Sequence, residues 1–217
     1  MATDTKERIP AAALELFAKN GYLGTSMRDI AAALGMTKAA LYKHYAGKEE
    51  ILAAICRRMQ ADDAARAADY AMPGDAAAYL YTPSADIRAY TKAQFLHWTA
   101  EPFAAAFRRM LTLEQYRDAE MAQLYRDYLA AGPLEYMAAI FRRMTDTDEG
   151  AMQLALEFYG PMFLLYSVYD EAADKAAVVA MLDAHIDRFV ARLRKKRDAE
   201  HAPRACEDQR TEEIAKK

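Results

Sequence analysis

The chain has 217 residues, 53% of them hydrophobic, and its 29 lysines and arginines oppose 32 aspartates and glutamates for a formal net charge of −3. That length and composition exclude whole-chain disorder and allow a small module beside a larger one. Cys56 and Cys206, far apart and in unlike settings, argue against a disulfide framework and for a reducing cytoplasm, while the lack of an apolar run of about 18 residues or of a charged-then-apolar leader argues against membrane insertion and secretion.

In chain order, the first segment with strong local signals is 26–48. Ser26 is placed to cap a helix, with Asp29 three residues on completing a capping-box-like pair. Ile30, Ala31 and Leu34 follow at helical spacing, and Gly35 supplies the residue a helix needs just past its end. Thr37 then caps a second helix, and Met36 is spaced to staple against Leu41. With Leu41 and Tyr45 turned inward, Lys38, Ala39, Tyr42 and Lys43 face outward. Two short capped helices joined by a glycine turn form a helix-turn-helix, whose second helix enters a DNA major groove. Charge is distributed to match. Residues 1–58 hold nine Lys/Arg and six Asp/Glu, a net of +3 that leaves −6 for the rest, so the cations gather at one end and DNA binding should fall steeply with salt.

Beyond the motif the pattern is helix after helix, with no strand alternation, and the fold class is all-α with about nine helices. A fourth helix is predicted over about Lys48–Tyr70, with Ile51, Leu52, Ile55 and Met59 on its apolar face, ending before Met72-Pro73-Gly74. Ser84 is expected to cap a helix through Trp98, and Glu101-Pro102 to open the next. A stretch over about Ala119–Met144 contains Gly132-Pro133, where a kink is favoured over a break. Two last helices span about Asp148–Tyr169 and Lys175–Lys195, the first bent at Gly160-Pro161. The domains expected are a helix-turn-helix domain at 1–47, a helical ligand-binding and dimerisation domain at 48–197, and a polar, disordered tail at 198–217.

The N-terminal quarter resembles the DNA-binding domain of the TetR family of bacterial transcriptional regulators. Ala12-Ala13-Leu14-Glu15-Leu16-Phe17-Ala18-Lys19-Asn20-Gly21-Tyr22 is similar to that family's first helix, and Thr25-Ser26 with Asp29-Ile30-Ala31 to its second. Leu41-Tyr42-Lys43-His44-Tyr45, followed by Gly47-Lys48-Glu49-Glu50-Ile51-Leu52, is similar to the recognition helix running into the fourth. The resemblance implies that Tyr42, His44 and Lys48 contact phosphates and that Arg28, Lys38, Ala39, Ala40 and Lys43 face base edges. The chemistry suits that division: lysine is a point charge for phosphate, Arg28 can pair bidentately with guanine, and alanine can touch a thymine methyl. For His44 a bond to a neighbouring backbone group is the alternative.

The resemblance further implies a homodimer on a pseudo-palindromic operator, released by an unidentified small-molecule effector, with repression as the default. The last two helices are the candidates for the dimer bundle through Leu154, Phe158, Met162, Leu165, Val178, Met181, Leu182 and Phe189; intrachain core is the other reading of the same residues. An excess of large aromatics and methionines suggests a mostly apolar effector pocket, with Phe95, Trp98, Phe107, Met110, Tyr125, Tyr128, Met137, Phe141, Phe158 and Met162 as its candidate lining. His97 and Arg108 are candidates for orienting a polar group. No cofactor, metal site or catalytic residue is expected. None of His44, His97, His185 and His201 has a glutamate three residues before it, as a di-iron bundle enzyme requires. His185 is out of helical phase with Asp183 and Asp187, and Cys56 is a packing thiol. The remaining alternative is a helical sensor acting through protein partners without DNA.

Overall fold

The computed structural model describes residues 2–73, 78 and 81–201, with side chains described over 5–73, 78 and 81–193. Helix α1 spans Ala2–Asn20, α2 Met27–Ala33, α3 Lys38–Tyr42, α4 Lys48–Asp69 and α5 Ser84–Ala100. Then come α6 over Pro102–Glu114, α7 over Ala119–Leu129, α8 over Ala131–Phe141, a short 3₁₀ turn at Arg142–Met144, α9 over Asp148–Glu171 and α10 over Lys175–His201. Among the described residues there is no strand, so the all-α class holds.

The helix boundaries differ from expectation in three places. Ser84 is the first residue of α5, and Pro83 occupies the capping position. The stretch after Ala119 is broken, not kinked: Ala130, at φ −123° and ψ −101°, separates α7 from α8. Pro133 carries no N–H for the Leu129 carbonyl and its ring would crowd it, so a helix continued through this point would be strained, whereas a proline within the first turn of α8 is tolerated. The chain also doubles back so tightly that a Cβ at Gly132 would sit 2.1 Å from the Asp127 carbonyl oxygen. Finally, α10 continues to His201. Residues 202–217 of the expected tail lie outside the described residues.

Two apolar clusters form the interior. One joins Ile9, Leu14 and Phe17 of α1, Ile30 of α2, Leu41 of α3 and Ile51, Ile55 and Met59 of α4 to Phe107, Met110 and Leu111 of α6 and Met121 and Leu129 of α7. It crosses residue 48, so the helix-turn-helix segment shares its core with α6 and α7. The other packs Phe95 of α5 and Phe141 of α8 against Phe158, Met162, Leu165 and Tyr166 of α9 and Val178, Leu182, Ile186 and Phe189 of α10. Trp98 of α5 packs against both. Helix α9 runs unbroken through Pro161.

Candidate functional site

The helix-turn-helix is built by the local interactions its sequence specifies. Ser26 and Asp29 form a reciprocal capping box: the Asp29 N–H donates to Ser26 Oγ at 3.3 Å, and the Ser26 N–H to Asp29 Oδ2 at 2.9 Å. Hydrogen bonds from the Ser26 side chain and backbone hold the Asp29 carboxyl below its ordinary value, with Arg28 adding to the effect. At the other end of α2, the Gly35 N–H bonds the Ala32 carbonyl and the Met36 N–H the Ala31 carbonyl, a Schellman pair with Gly35 in the left-handed region at φ +64°. A Cβ at Gly35 would meet nothing within 4 Å, so the glycine is required by backbone conformation alone. Thr37 then caps α3, its Oγ1 accepting from the Ala40 N–H at 3.1 Å.

Helix α3 is held from behind. Leu41 and Tyr45 are buried, and the Tyr45 hydroxyl donates to the Lys6 carbonyl at 3.1 Å. Outward stand Lys38, Ala39, Tyr42 and Lys43, all exposed, with Ala40 and His44 half-buried. Arg28 projects from the exposed side of α2. Arg28, Lys38 and Lys43 enter no ion pair among the described residues; Lys38 lies 5.5 Å from the centre of the Tyr42 ring. Lys48, at the start of α4, is half-buried. Its Nζ donates to the Tyr22 carbonyl at 2.8 Å and lies 4.7 Å from that residue's ring, leaving two of its three N–H groups for other acceptors.

The other candidate residues are dispersed. Phe107 and Met110 are buried in the first core cluster, with Trp98, Tyr125 and Tyr128 against it. Phe95, Phe141, Phe158 and Met162 are buried in the second, with Met137 against it. Their rings pack on one another: Phe95 stacks on Tyr166 and Phe107 meets Tyr128 edge-on. Of the candidate pocket lining, Tyr125 alone borders the cleft of about 210 Å³ that opens between α6, α7 and α9. That cleft is lined instead by residues the sequence reading did not single out for it, among them Arg109, Thr112, Leu113, Phe163 and Ser167. Most of these are exposed and polar or isolated, so periodicity gives them no signal.

His97 and Arg108 do structural work. Burial, and secondarily Arg66, pushes the His97 imidazole toward its neutral form, and its Nδ1 lies 2.7 Å from Glu101 Oε2. Arg108 is buried, donating from Nε to the Trp98 carbonyl at 2.9 Å and from a terminal nitrogen to Asp170 at 2.6 Å.

The eight residues expected at a dimer bundle fall mostly inside this single chain. Phe158, Met162, Leu165, Val178, Leu182 and Phe189 are buried in the second cluster and Leu154 packs against it; Met181 is 55% exposed. The stripe found by helical period is the one facing the chain's own core. Among the described residues, the large apolar side chains that α9 and α10 turn outward are Leu156, Phe163, Leu164, Val168 and Met181.

No group of three or more metal-ligating side chains occurs among the described residues. Asp183 pairs with Lys92 at 2.7 Å, Asp187 pairs with Arg88, and the His185 ring bonds the Phe158 carbonyl. Burial pushes the Cys56 thiol up to about 11, the direction of an inert thiol. No helix of the described residues is long and apolar enough to cross a membrane.

Residues 9–55 match the family described as bacterial regulatory proteins, tetR family. The uncharacterised HTH-type transcriptional regulator YerO of Bacillus subtilis is 40% identical over 53 residues, which are 24% of this chain and 18% of that protein. IcaR of Staphylococcus epidermidis, the HTH-type negative transcriptional regulator of the biofilm operon icaADBC, is 46% identical over 46 residues, 21% of this chain and 25% of that protein. The likeness of fold extends further. A transcriptional regulator from Rhodococcus sp. Rha1 superposes with a TM-score of 0.61 at 19% identity, covering 86% of this chain and 96% of the other. A Saccharomonospora viridis transcriptional regulator, solved in complex with choline, superposes with a TM-score of 0.58 at 20% identity, covering 87% and 96%. The capped helix pair thus lies in the segment that matches the tetR family of bacterial regulatory proteins, and the helical fold behind it is that of the solved transcriptional regulators.

Proposed function

We propose that the chain is a dimeric, cytoplasmic, DNA-binding transcriptional regulator without enzymatic activity, which represses by occupying a pseudo-palindromic operator and lets go when a small, largely apolar effector binds. The observation that carries this reading is the outward face of α2 and α3, where Arg28, Lys38, Tyr42 and Lys43 are exposed on a rigidly capped pair of helices. In this reading Lys43, Lys38, Arg28, Ala39 and Ala40 meet base edges, and Tyr42, His44 and Lys48 meet phosphates. Repression is supported by IcaR being a negative regulator, and a small-molecule effector by the choline complex of the Saccharomonospora protein.

The dimer is supported by the exposed apolar residues of α9 and α10, since water-facing leucine and methionine at helical spacing mark an interaction face. Leu156, Leu164 and Val168 lie on one side of α9; exposed Ala177, Ala180 and Met181 share a side of α10. Small residues there allow close approach of a second helix pair in a four-helix bundle about a two-fold axis. Two recognition helices held ~34–36 Å apart then reach successive major grooves. The effector acts by favouring a different spacing, for which a coupling of about 1–3 kcal/mol suffices.

Selection of double-stranded DNA by the purified chain, followed by titration with the Lys43→Ala variant, tests the reading. The expected outcome is an enriched palindrome, with the variant still dimeric and its affinity for that palindrome lower by at least about tenfold, in line with roughly 1–3 kcal/mol for one base contact. Equal binding of the two proteins would remove α3 from the interface.

A further inference from the structure

We propose that the cleft between α6, α7 and α9 takes a small amphipathic carboxylate, with Arg109 as its counter-ion. The proposal rests on the effector-responsive reading above and names the class of effector. Three charged residues line the cleft: Arg108, Arg109 and Asp170. Arg108 and Asp170 neutralise each other at 2.6 Å, and Arg108 is further committed to the Trp98 carbonyl and to the face of the Tyr166 ring. Arg109 is exposed and has no hydrogen bond or ion pair among the described residues. On its other side it borders a second cleft with Glu15 and Lys19 of α1, which oppose each other in charge and form no ion pair with it.

The lining therefore carries one uncommitted positive charge beside apolar walls that include Leu113, Tyr125 and Phe163. A guanidinium in that state matches the planar, two-oxygen geometry of a carboxylate, and the walls suit an apolar body. The same charge disfavours a quaternary ammonium. An aromatic cage for such a cation needs free ring faces, and Arg108 already lies 5.5 Å from the Tyr166 centroid. The volume of about 210 Å³, about seven times the ~30 Å³ that one water takes in the liquid, limits the ligand to a small molecule.

The test is calorimetric titration of the full chain with phenylacetate, cinnamate and hexanoate, each against its neutral amide, and with choline. The expected result is saturable binding of at least one carboxylate at one per chain, about tenfold or more weaker binding of its amide, and no binding of choline. Arg109→Gln should lose the carboxylate preference and Arg109→Lys retain part of it, with thermal melting of both as for the parent chain. Binding of no carboxylate, equal binding of acid and amide, preference for choline, or undiminished carboxylate binding by Arg109→Gln would each overturn the proposal. Operator affinity measured in the same samples separates the two readings. A carboxylate that binds through Arg109 without changing operator affinity supports this site and defeats the effector reading, whereas release of the operator by choline but by no carboxylate supports the effector reading and defeats this site.

Discussion

Three helical carbonyls accept a hydrogen bond from a side chain of another segment, one four residues before a proline inside its helix and two in the last turn of theirs. Pro10 lies inside α1, so the Lys6 carbonyl four residues back has no N–H to accept; the Tyr45 hydroxyl, just past α3, fills the vacancy at 3.1 Å. Trp98 stands in the last turn of α5, and its carbonyl accepts from Arg108 Nε of α6 at 2.9 Å. Leu129 is the last residue of α7, and its carbonyl accepts from the buried Tyr159 hydroxyl of α9 at 2.9 Å. Each pairing ties two elements together at a position where one of them is locally defective. For Tyr45 the tie fixes the segment just past α3 to α1. Tyr45→Phe should therefore lower stability by about 1 kcal/mol, the usual size of one partly buried hydrogen bond, shown as a lower urea midpoint at unchanged slope. A midpoint equal to that of the parent chain would mean that the carbonyl finds another donor.

The elements show two kinds of legibility. Helices α2 and α3 are short, and their ends are set by residues within three or four positions: Ser26 with Asp29, Thr37 with Ala40, and Gly35 in the left-handed region. Everything needed to place them is local, so the expected caps and turn are those observed. Helix α9 is different. It carries apolar residues on two sides, Phe158, Met162 and Leu165 toward the core and Leu156, Leu164 and Val168 toward solvent, and periodicity alone does not say which side another copy would cover. In the proposed dimer it is the second side. Leu164 is 64% exposed in the single chain, so Leu164→Asp should leave the fold of each chain intact while converting the dimer to monomer in sedimentation and abolishing operator binding. A dimer that survives this change would place the interface elsewhere. The cap of α5 and the break at Ala130 show the same limit on a smaller scale, because Gly132-Pro133 permits either a kink or a break and the return of α8 across α7 selects the break.

For the whole molecule, the shared core decides how the parts communicate. Phe107, Met110 and Leu111 of α6 lie in one cluster with Ile9, Leu14 and Phe17 of α1, so in the proposed response a shift of α6 would press on the helix that supports α3. At that junction Gly21, at φ +82°, closes α1 against the buried Glu114 of α6, and a Cβ there would stand 2.6 Å from Glu114 Oε1. The molecule also holds several buried and half-buried phenols. Burial pushes Tyr22, Tyr90 and Tyr128 each up to about 12, and raises Tyr159 and Tyr166 further. Because the folded state holds these groups neutral, their contribution to stability is fully present below the ordinary phenol value of 10 and is lost as pH rises through the folded values. Unfolding midpoints should therefore be level as pH approaches 10 and fall above it, together with a late, cooperative rise of tyrosinate absorbance. Gradual ionisation without loss of fold would show that the phenols are open to water.

The sequence by itself determined the helical class, the capped helix pair and its outward cations, because helical period, capping and the left-handed glycine act within one or two turns of chain. Only the tertiary structure decided what the second half of the chain buries. It placed most of the expected aromatic pocket in two packed cores, turned the expected dimer stripe inward and left Arg109 uncommitted beside a cleft of other residues. Those outcomes depend on which of two apolar faces meets which neighbour, and on which charges find partners 60 or more residues away, as Arg108 finds Asp170. Burial and pairing at that range are properties of the packed molecule, to which no local pattern corresponds.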